Sequence, residues 1–265
     1  MKGFLEFCAS AGVSPASAEP AFLDDYLWKR KLEGGLAPAS LFRKMESLRA
    51  YYRFLAVEGR VAQDPTRNFR APHLAERVPE YLSEEEMRRL LSFQPADFRE
   101  LRTRTIIELF YACGMRISEL TGLRLENVNM EQGYVMVFGK GGKERIVPIH
   151  DRAMVSLGEY LARRREMFGG GNADSEIFVG RGGKKLSRVT VWKDIRHLGR
   201  AAGISRPLHP HIFRHTFASH LLLGGADLRA IQEMLGHASL STTQIYTHLE
   251  RSDIKRKHQK FHPRG

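Results

Sequence analysis

The stretch His209-Pro210-His211-Ile212-Phe213-Arg214-His215-Thr216-Phe217-Ala218-Ser219-His220 is dense in histidine and leads a helical pattern over Ile212–Leu223. His211 and Arg214 stand three apart at the helix start and so project from one face. Three readings of the segment compete. The histidines can be hydrogen-bonding helix residues without chemistry. A metal site would use His211 and His215 at i, i+4, yet no carboxylate or thiol lies nearby in sequence, and Arg214 would set a cation beside the ion. In the third reading the imidazole and guanidinium serve a reaction centre, and the segment alone leaves the three open.

Working outward, Leu228–Leu235 reads as a short helix opened by Asp227 and closed by Gly236 at a C′ position. Leu235-Gly236-His237 follows, and then Ser241-Thr242-Thr243-Gln244-Ile245-Tyr246-Thr247-His248. A tyrosine in such a segment ordinarily packs with its hydroxyl satisfied. Upstream, Val191–Ala202 and Arg152–Phe168 carry helical patterns. Before them, Tyr134–Phe138 and Arg145–Ile149 read as two strands joined by the turn Gly139-Lys140-Gly141-Gly142-Lys143, with Lys140 at the end of the first strand. Ser83 and Glu86 form an S-x-x-E capping box that opens a helix. The expected class is mainly α, with an α+β second region holding a small β-hairpin.

From Ser40 to Leu55 the apolar residues Leu41, Phe42, Met45, Leu48, Tyr52 and Leu55 recur at three and four, the pattern of an amphipathic helix. Arg43, Arg49 and Arg53 share about a third of the circumference away from that stripe, as a solvated face or as DNA contacts. Around Pro65, Pro72 and Pro79 the pattern breaks, which puts a domain boundary near residues 70–80 and divides the chain into 1–75 and 76–265.

Lys and Arg number 42 against 30 acids, a net +12 with a sequence pI near 9.9, so a polyanion is the first partner to consider. Residues 1–80 hold 12 basic and 10 acidic side chains, which leaves +10 for the rest. Cys8 and Cys113 are the only cysteines and have no metal-ligand spacing, which argues against a disulfide framework or zinc module and for a reducing cytoplasm. No run approaches the roughly 18 apolar residues of a membrane helix, so no membrane partner is expected.

Taken in order, Arg116 in Gly114-Met115-Arg116-Ile117-Ser118-Glu119-Leu120, Lys140, His211-x-x-Arg214, Leu235-Gly236-His237 and Tyr246 resemble the catalytic pattern of the tyrosine recombinase (phage integrase) family. The wording is similar to its Xer branch in particular. In that pattern a tyrosine follows the His or Trp by nine residues, as Tyr246 follows His237 here. The likeness extends to Ser241–His248 and to His262-Pro263-Arg264, so it spans nearly the whole chain. Family members begin with a further helix before the segment matching Gly3–Phe7 and this chain starts just inside it, so the resemblance implies an N-terminal domain that lacks its first helix.

The resemblance implies a two-domain, C-shaped clamp on duplex DNA. Its parts are a helical, SAM-like core-binding domain and a catalytic domain with a C-terminal tail exchanged between protomers. It implies a metal-free, ATP-free DNA strand transferase that works as a homo- or hetero-tetramer on two sites, with a DNA translocase as a further partner. The role would be chromosome or plasmid dimer resolution. Alternatives are a phage or mobile-element integrase or excisionase, a type IB topoisomerase and, from another class, a noncatalytic DNA-binding regulator.

Phosphoryl transfer gives each residue a role. Arg116 and Arg214 would hold the non-bridging oxygens, His211 would accept the Tyr246 proton, and Lys140, or Lys143 on the same turn, would protonate the 5′ oxygen. His237 would add a hydrogen bond to the phosphate. Arg43, Arg49, Arg53, Lys143 and Arg145 are the expected DNA contacts. From Arg251 onward the tail carries +5, and Ile254 and Phe261, seven apart, share a helix face suited to docking on a neighbouring protomer.

Overall fold

The structure is a computed structural model that describes residues 1–32, 35–70, 80–139, 144–169, 176–236 and 258–264. The chain divides into two compact units, Met1–Val78 and Pro79–Gly265. In the first, α1 (Lys2–Ser10), α2 (Pro20–Leu32) and α3 (Pro38–Val57) surround Phe4, Cys8, Leu23, Tyr26, Leu48 and Tyr52. Pro38 stands in the first turn of α3, where a missing N–H costs no hydrogen bond. The apolar stripe of α3 turns inward as its spacing requires, with Met45, Leu48 and Tyr52 buried. Phe4 meets Tyr26 and Tyr52 edge-on at 5.3 and 6.2 Å, and the Tyr52 hydroxyl donates to Pro15 O at 2.8 Å, so the one polar atom of that ring is satisfied.

The second unit opens on α4 (Glu84–Ser92). Its capping box is complete: Glu86 N donates to Ser83 Oγ at 3.1 Å and Ser83 N to Glu86 Oε2 at 2.8 Å. Next comes α5 (Phe98–Cys113), whose residues from Thr105 to Cys113 are buried without a break. A helix hidden all round belongs at the centre of its domain. After α6 (Ile117–Thr121), the strands β1 (Val128–Asn129), β2 (Tyr134–Phe138) and β3 (Glu144–Pro148) form an antiparallel sheet in that order, with Tyr134 opposite Pro148 and Phe138 opposite Glu144. The two expected strands are present within one residue, and the two-residue β1 joins them. α7 (Asp151–Phe168), α8 (Arg188–Ala201) and α9 (Pro210–Leu223) pack around α5, and α10 (Leu228–Leu235) follows α9. Arg102 in α5 ties itself to α8 through Asp194 at 2.6 Å and to Val179 O at 2.7 Å. No described helix is long and apolar enough to cross a membrane.

Residues 258–264 pack against the end of α5. Its last-turn carbonyls lack partners within the helix, and imidazoles supply them: His258 Nε2 donates to Ala112 O at 2.8 Å and His262 Nε2 to Tyr111 O at 3.0 Å. The two rings stack at 4.9 Å, and His150, which caps α7, lies 5.0 Å from His262. Arg264 pairs with Glu108 at 2.9 Å. Phe261 packs against the chain's own cluster of Phe217, Leu221 and Ala226, whereas the sequence pattern assigned it to a neighbour. Its expected companion Ile254 lies outside the described residues.

Burial pushes His150 down to about 3 and His258 to about 4, and it holds His262 well below the ordinary histidine value. The unfolded chain therefore takes up protons at these rings from about pH 6.5 downward while the folded chain does not, so stability is lost as pH falls through that window. Glu108, raised by burial, acts in the opposite sense and offsets part of the loss. Between pH 6.5 and 5 each ring that stays neutral costs on the order of 2 kcal/mol, or roughly 4–8 °C in melting temperature, before the Glu108 offset. Scanning calorimetry of the parent and of His258→Gln, whose amide can still donate to Ala112 O, checks this. The variant should show the shallower pH dependence.

Candidate active site

The site grows from the end of α5. Gly114 terminates that helix in the left-handed region at φ +57°, where a side chain is strained; an added Cβ would also lie 2.6 Å from Phe217 and 2.8 Å from Leu235. The turn it makes releases Arg116 at the start of α6 and leaves Gly114 O free to accept. Arg214, from the first half of α9, donates Nη1 to Gly114 O and Nη2 to Leu235 O, both at 2.6 Å. One guanidinium thus bonds the C-terminal ends of α5 and α10. Its residue is 8% exposed, so these carbonyls have little access to water as an alternative partner.

Glu119, one turn into α6, is the centre of the arrangement. Its Oε2 accepts the Arg116 N–H at 2.8 Å and its Oε1 accepts Arg116 Nη1 at 2.9 Å. From β3, Arg145 forks onto the same carboxylate, Nη1 to Oε1 at 3.0 Å and Nη2 to Oε2 at 2.8 Å, and its Nε donates to Met234 O at 2.9 Å. Burial pushes the Glu119 carboxyl up, but the bonds from Arg145 and from Arg116 outweigh it and hold it below the ordinary value. Arg214 is drawn down to about 10, by burial first and then by Arg116 and Arg145, and stays charged at neutral pH. Two guanidiniums, Arg116 and Arg145, therefore share one carboxylate, and Arg214 lies near enough to feel all three charges, a net +2 with Arg116 the open member at 38% side-chain exposure. Such a cluster is built to receive an anion.

The other expected site residues fall into three groups. His211 is exposed on the first turn of α9, flanked by His209, which caps that helix through Ile212 N at 3.1 Å, and by His215. Burial lowers the pKa of both neighbours, and the charge of His211 adds to it. Lys140, Lys143, His237 and Tyr246 lie outside the described residues. Among the expected DNA contacts, Arg43 and Arg53 are exposed on α3, while Arg49 is half-buried and turned to Glu46 at 2.5 Å and Phe69 O at 2.6 Å. Arg145 is 6% exposed and all its described bonds run inward, so a surface contact to DNA does not fit its position. Sequence reasoning missed Glu119; the R-x-x-E spacing at the α6 start was its one visible signal. Among the described residues no group of three His, Cys, Asp or Glu could hold a metal ion.

Residues 80–253 match the model of the phage integrase family. Tyrosine recombinase XerD of Chlorobaculum tepidum is 41% identical over 99% of this chain and 87% of its own length. Tyrosine recombinase XerD of Pseudomonas aeruginosa is 44% identical over 92% of this chain and 82% of its own. Among solved structures, the XerH site-specific recombinase bound to a palindromic difH substrate superposes with a TM-score of 0.73 at 25% identity, covering 96% of this chain and 75% of that one. The XerA recombinase gives 0.56 at 30% identity, covering 98% and 89%. The arginine cluster, the helical domain around α5 and these similarities agree: the chain belongs to the phage integrase family and is a tyrosine site-specific recombinase of the Xer type.

Proposed function

We propose that this recombinase binds duplex DNA and cleaves and rejoins its strands through a 3′-phosphotyrosyl bond at Tyr246, in the service of chromosome or plasmid dimer resolution. The observation that carries the reading is the net +2 cluster of Arg116, Arg145 and Arg214 around Glu119. A phosphodiester under attack gathers charge on its non-bridging oxygens, and cations fixed in advance stabilise that charge without reorganising. Arg116 and Arg214 hold the phosphate, and His237 adds a hydrogen bond. His211 accepts the phenol proton as the Tyr246 oxygen attacks phosphorus, and the bond from phosphorus to the 5′ oxygen breaks. Lys140 delivers a proton to that leaving oxygen. Because the phosphotyrosyl ester conserves the bond energy, the reverse attack by a 5′ hydroxyl rejoins strands without ATP.

The unit 1–75 grips DNA through exposed Arg43 and Arg53, and the unit 76–265 cuts it; four chains act on two sites in the cytoplasm. XerH was solved on its DNA substrate, which supports the DNA partner. A nicked substrate, from which the released end diffuses away, tests the reading: the parent should form an adduct that survives denaturing gels, on a double-stranded site, without added metal. Relaxation of any supercoiled plasmid by a single chain without site preference would favour a type IB topoisomerase activity instead.

The role of Lys140 has its own check. A substrate with sulfur at the bridging 5′ position has a leaving group that needs little protonation. Lys140→Ala should cleave it within about tenfold of the parent, against a loss on the order of 100- to 10,000-fold with oxygen. Rescue of Lys143→Ala in its place would move the acid along the turn.

A further inference from the structure

We infer that Arg145 is a positioning residue for cleavage: it fixes the two phosphate-holding arginines relative to each other from inside the domain. This rests on the proposed roles of Arg116 and Arg214. The bonds to Glu119 and Met234 engage all three guanidinium nitrogens and run into the domain, and the residue is 6% exposed. Each partner is the immediate support of one of those arginines. Glu119 holds the Arg116 guanidinium at 2.9 Å and its backbone N–H at 2.8 Å. Met234 O is the carbonyl next to Leu235 O, which holds Arg214 at 2.6 Å. Arg214 also holds Gly114 O, two residues before Arg116, and the second path between the two arginines, through α6, β3 and the end of α10, runs through the single side chain of Arg145.

The surroundings leave that side chain no slack. Gly236 closes α10 at φ +66°, and a Cβ there would stand 3.0 Å from Arg145 Cδ and 3.3 Å from its Nη1. The strut fills the space that only a glycine leaves. Its shape matters as much as its charge, since a planar fork meets both carboxylate oxygens while its Nε points elsewhere, and an ammonium in the same place cannot serve both. Loss of the fork lets α6 and α10 shift apart, and an error of about 1 Å in a transition-state contact can cost 100-fold in rate.

Arg145→Lys keeps the buried charge and removes the fork. The experiment compares its single-turnover cleavage at saturating DNA on two nicked substrates, one with the ordinary scissile phosphate and one with a methylphosphonate there. The methylphosphonate has a methyl group for one non-bridging oxygen, so it lacks the negative charge that Arg116 and Arg214 neutralise. Positioning predicts a rate about 100-fold below the parent on phosphate and within about fivefold of the parent on methylphosphonate, with half-saturating DNA changed by less than about threefold. Equal losses on both substrates would mean that Arg145 only maintains the fold. A near-parent rate with weakened binding and a salt slope lower by about one would make it a phosphate contact. Either result overturns the inference. If the single variant does not fold, Arg145→Met combined with Glu119→Gln removes both buried charges together and takes the same readouts. A parent that forms no adduct on phosphate would overturn the cleavage reading itself, and this inference with it.

Discussion

Tyr246→Phe is expected to bind a DNA site within about threefold of the parent and to leave no protein attached to a nicked substrate, since one oxygen is removed and no phosphate-binding cation is touched. The affinity of a chain with net +12 comes from its lysines and arginines, and those stay in place. Chemistry is another matter. A free phenol has a pKa of about 10, so roughly one in a thousand is ionised at neutral pH, and attack depends on the oxygen and on a base that accepts its proton. Phenylalanine offers neither a lone pair nor a proton to transfer. A gel shift on an intact site and a denaturing gel on the nicked one measure the two effects separately. An attached product in the variant would assign the nucleophile elsewhere and undo the reading of the spacing from His237 to Tyr246.

The second large effect separates two arginines that the sequence treats alike. Removal of either from the phosphate should slow cleavage on the order of 100- to 1,000-fold, about 3–4 kcal/mol, as when one preorganised donor is lost. Their stabilities should differ. Arg116 is half-exposed, and Glu119 keeps its fork from Arg145 when Arg116 is cut back, so Arg116→Ala should melt within a few degrees of the parent. Arg214 is 8% exposed and satisfies Gly114 O and Leu235 O. Arg214→Ala strands both carbonyls at about 1–3 kcal/mol each, and its melting temperature should fall by roughly 4–12 °C or more. Single-turnover cleavage beside calorimetry checks both, with the temperature held well below the variant's transition. Parent-like cleavage by Arg116→Ala would make that arginine structural. Parent-like melting of Arg214→Ala would show that the two carbonyls find other partners.

The histidine-rich stretch, the hairpin and the caps were legible because each is set by neighbours in sequence. The pair Ser83 and Glu86 closes its box over three residues, Asp227 caps α10 through Ala230 N at 2.8 Å, and Gly236 ends it in the left-handed conformation that a Cβ disfavours. Likewise α3 shows a stripe because one side meets the core and the other meets solvent. By contrast α5 is buried on every side, so it shows no alternation of polar and apolar faces to read, although it organises the domain. The candidate site was legible as a set of residue types in order, and that order carries the family likeness.

Which of two similar side chains meets solvent is not written locally. Arg145 sits on a strand close in sequence to the glycine-rich stretch Gly139–Lys143, where a surface cation is the natural expectation, and Arg49 sits on the polar side of α3. Yet Arg145 is drawn in by a carboxylate 26 residues upstream and a carbonyl 89 residues downstream, and Arg49 by Phe69 O, 20 residues away. His150, His258 and His262 come together at the end of α5 in the same way, across more than 100 residues. By itself the sequence determined the amphipathic and capped helices, the two hairpin strands and the residue types that carry the family likeness, since backbone propensity, capping and spacing act over a few residues. Only the tertiary structure decided which arginines stay open to solvent and which are bound into the domain, because a guanidinium's partners are chosen by burial and by groups that folding alone brings within 3 Å.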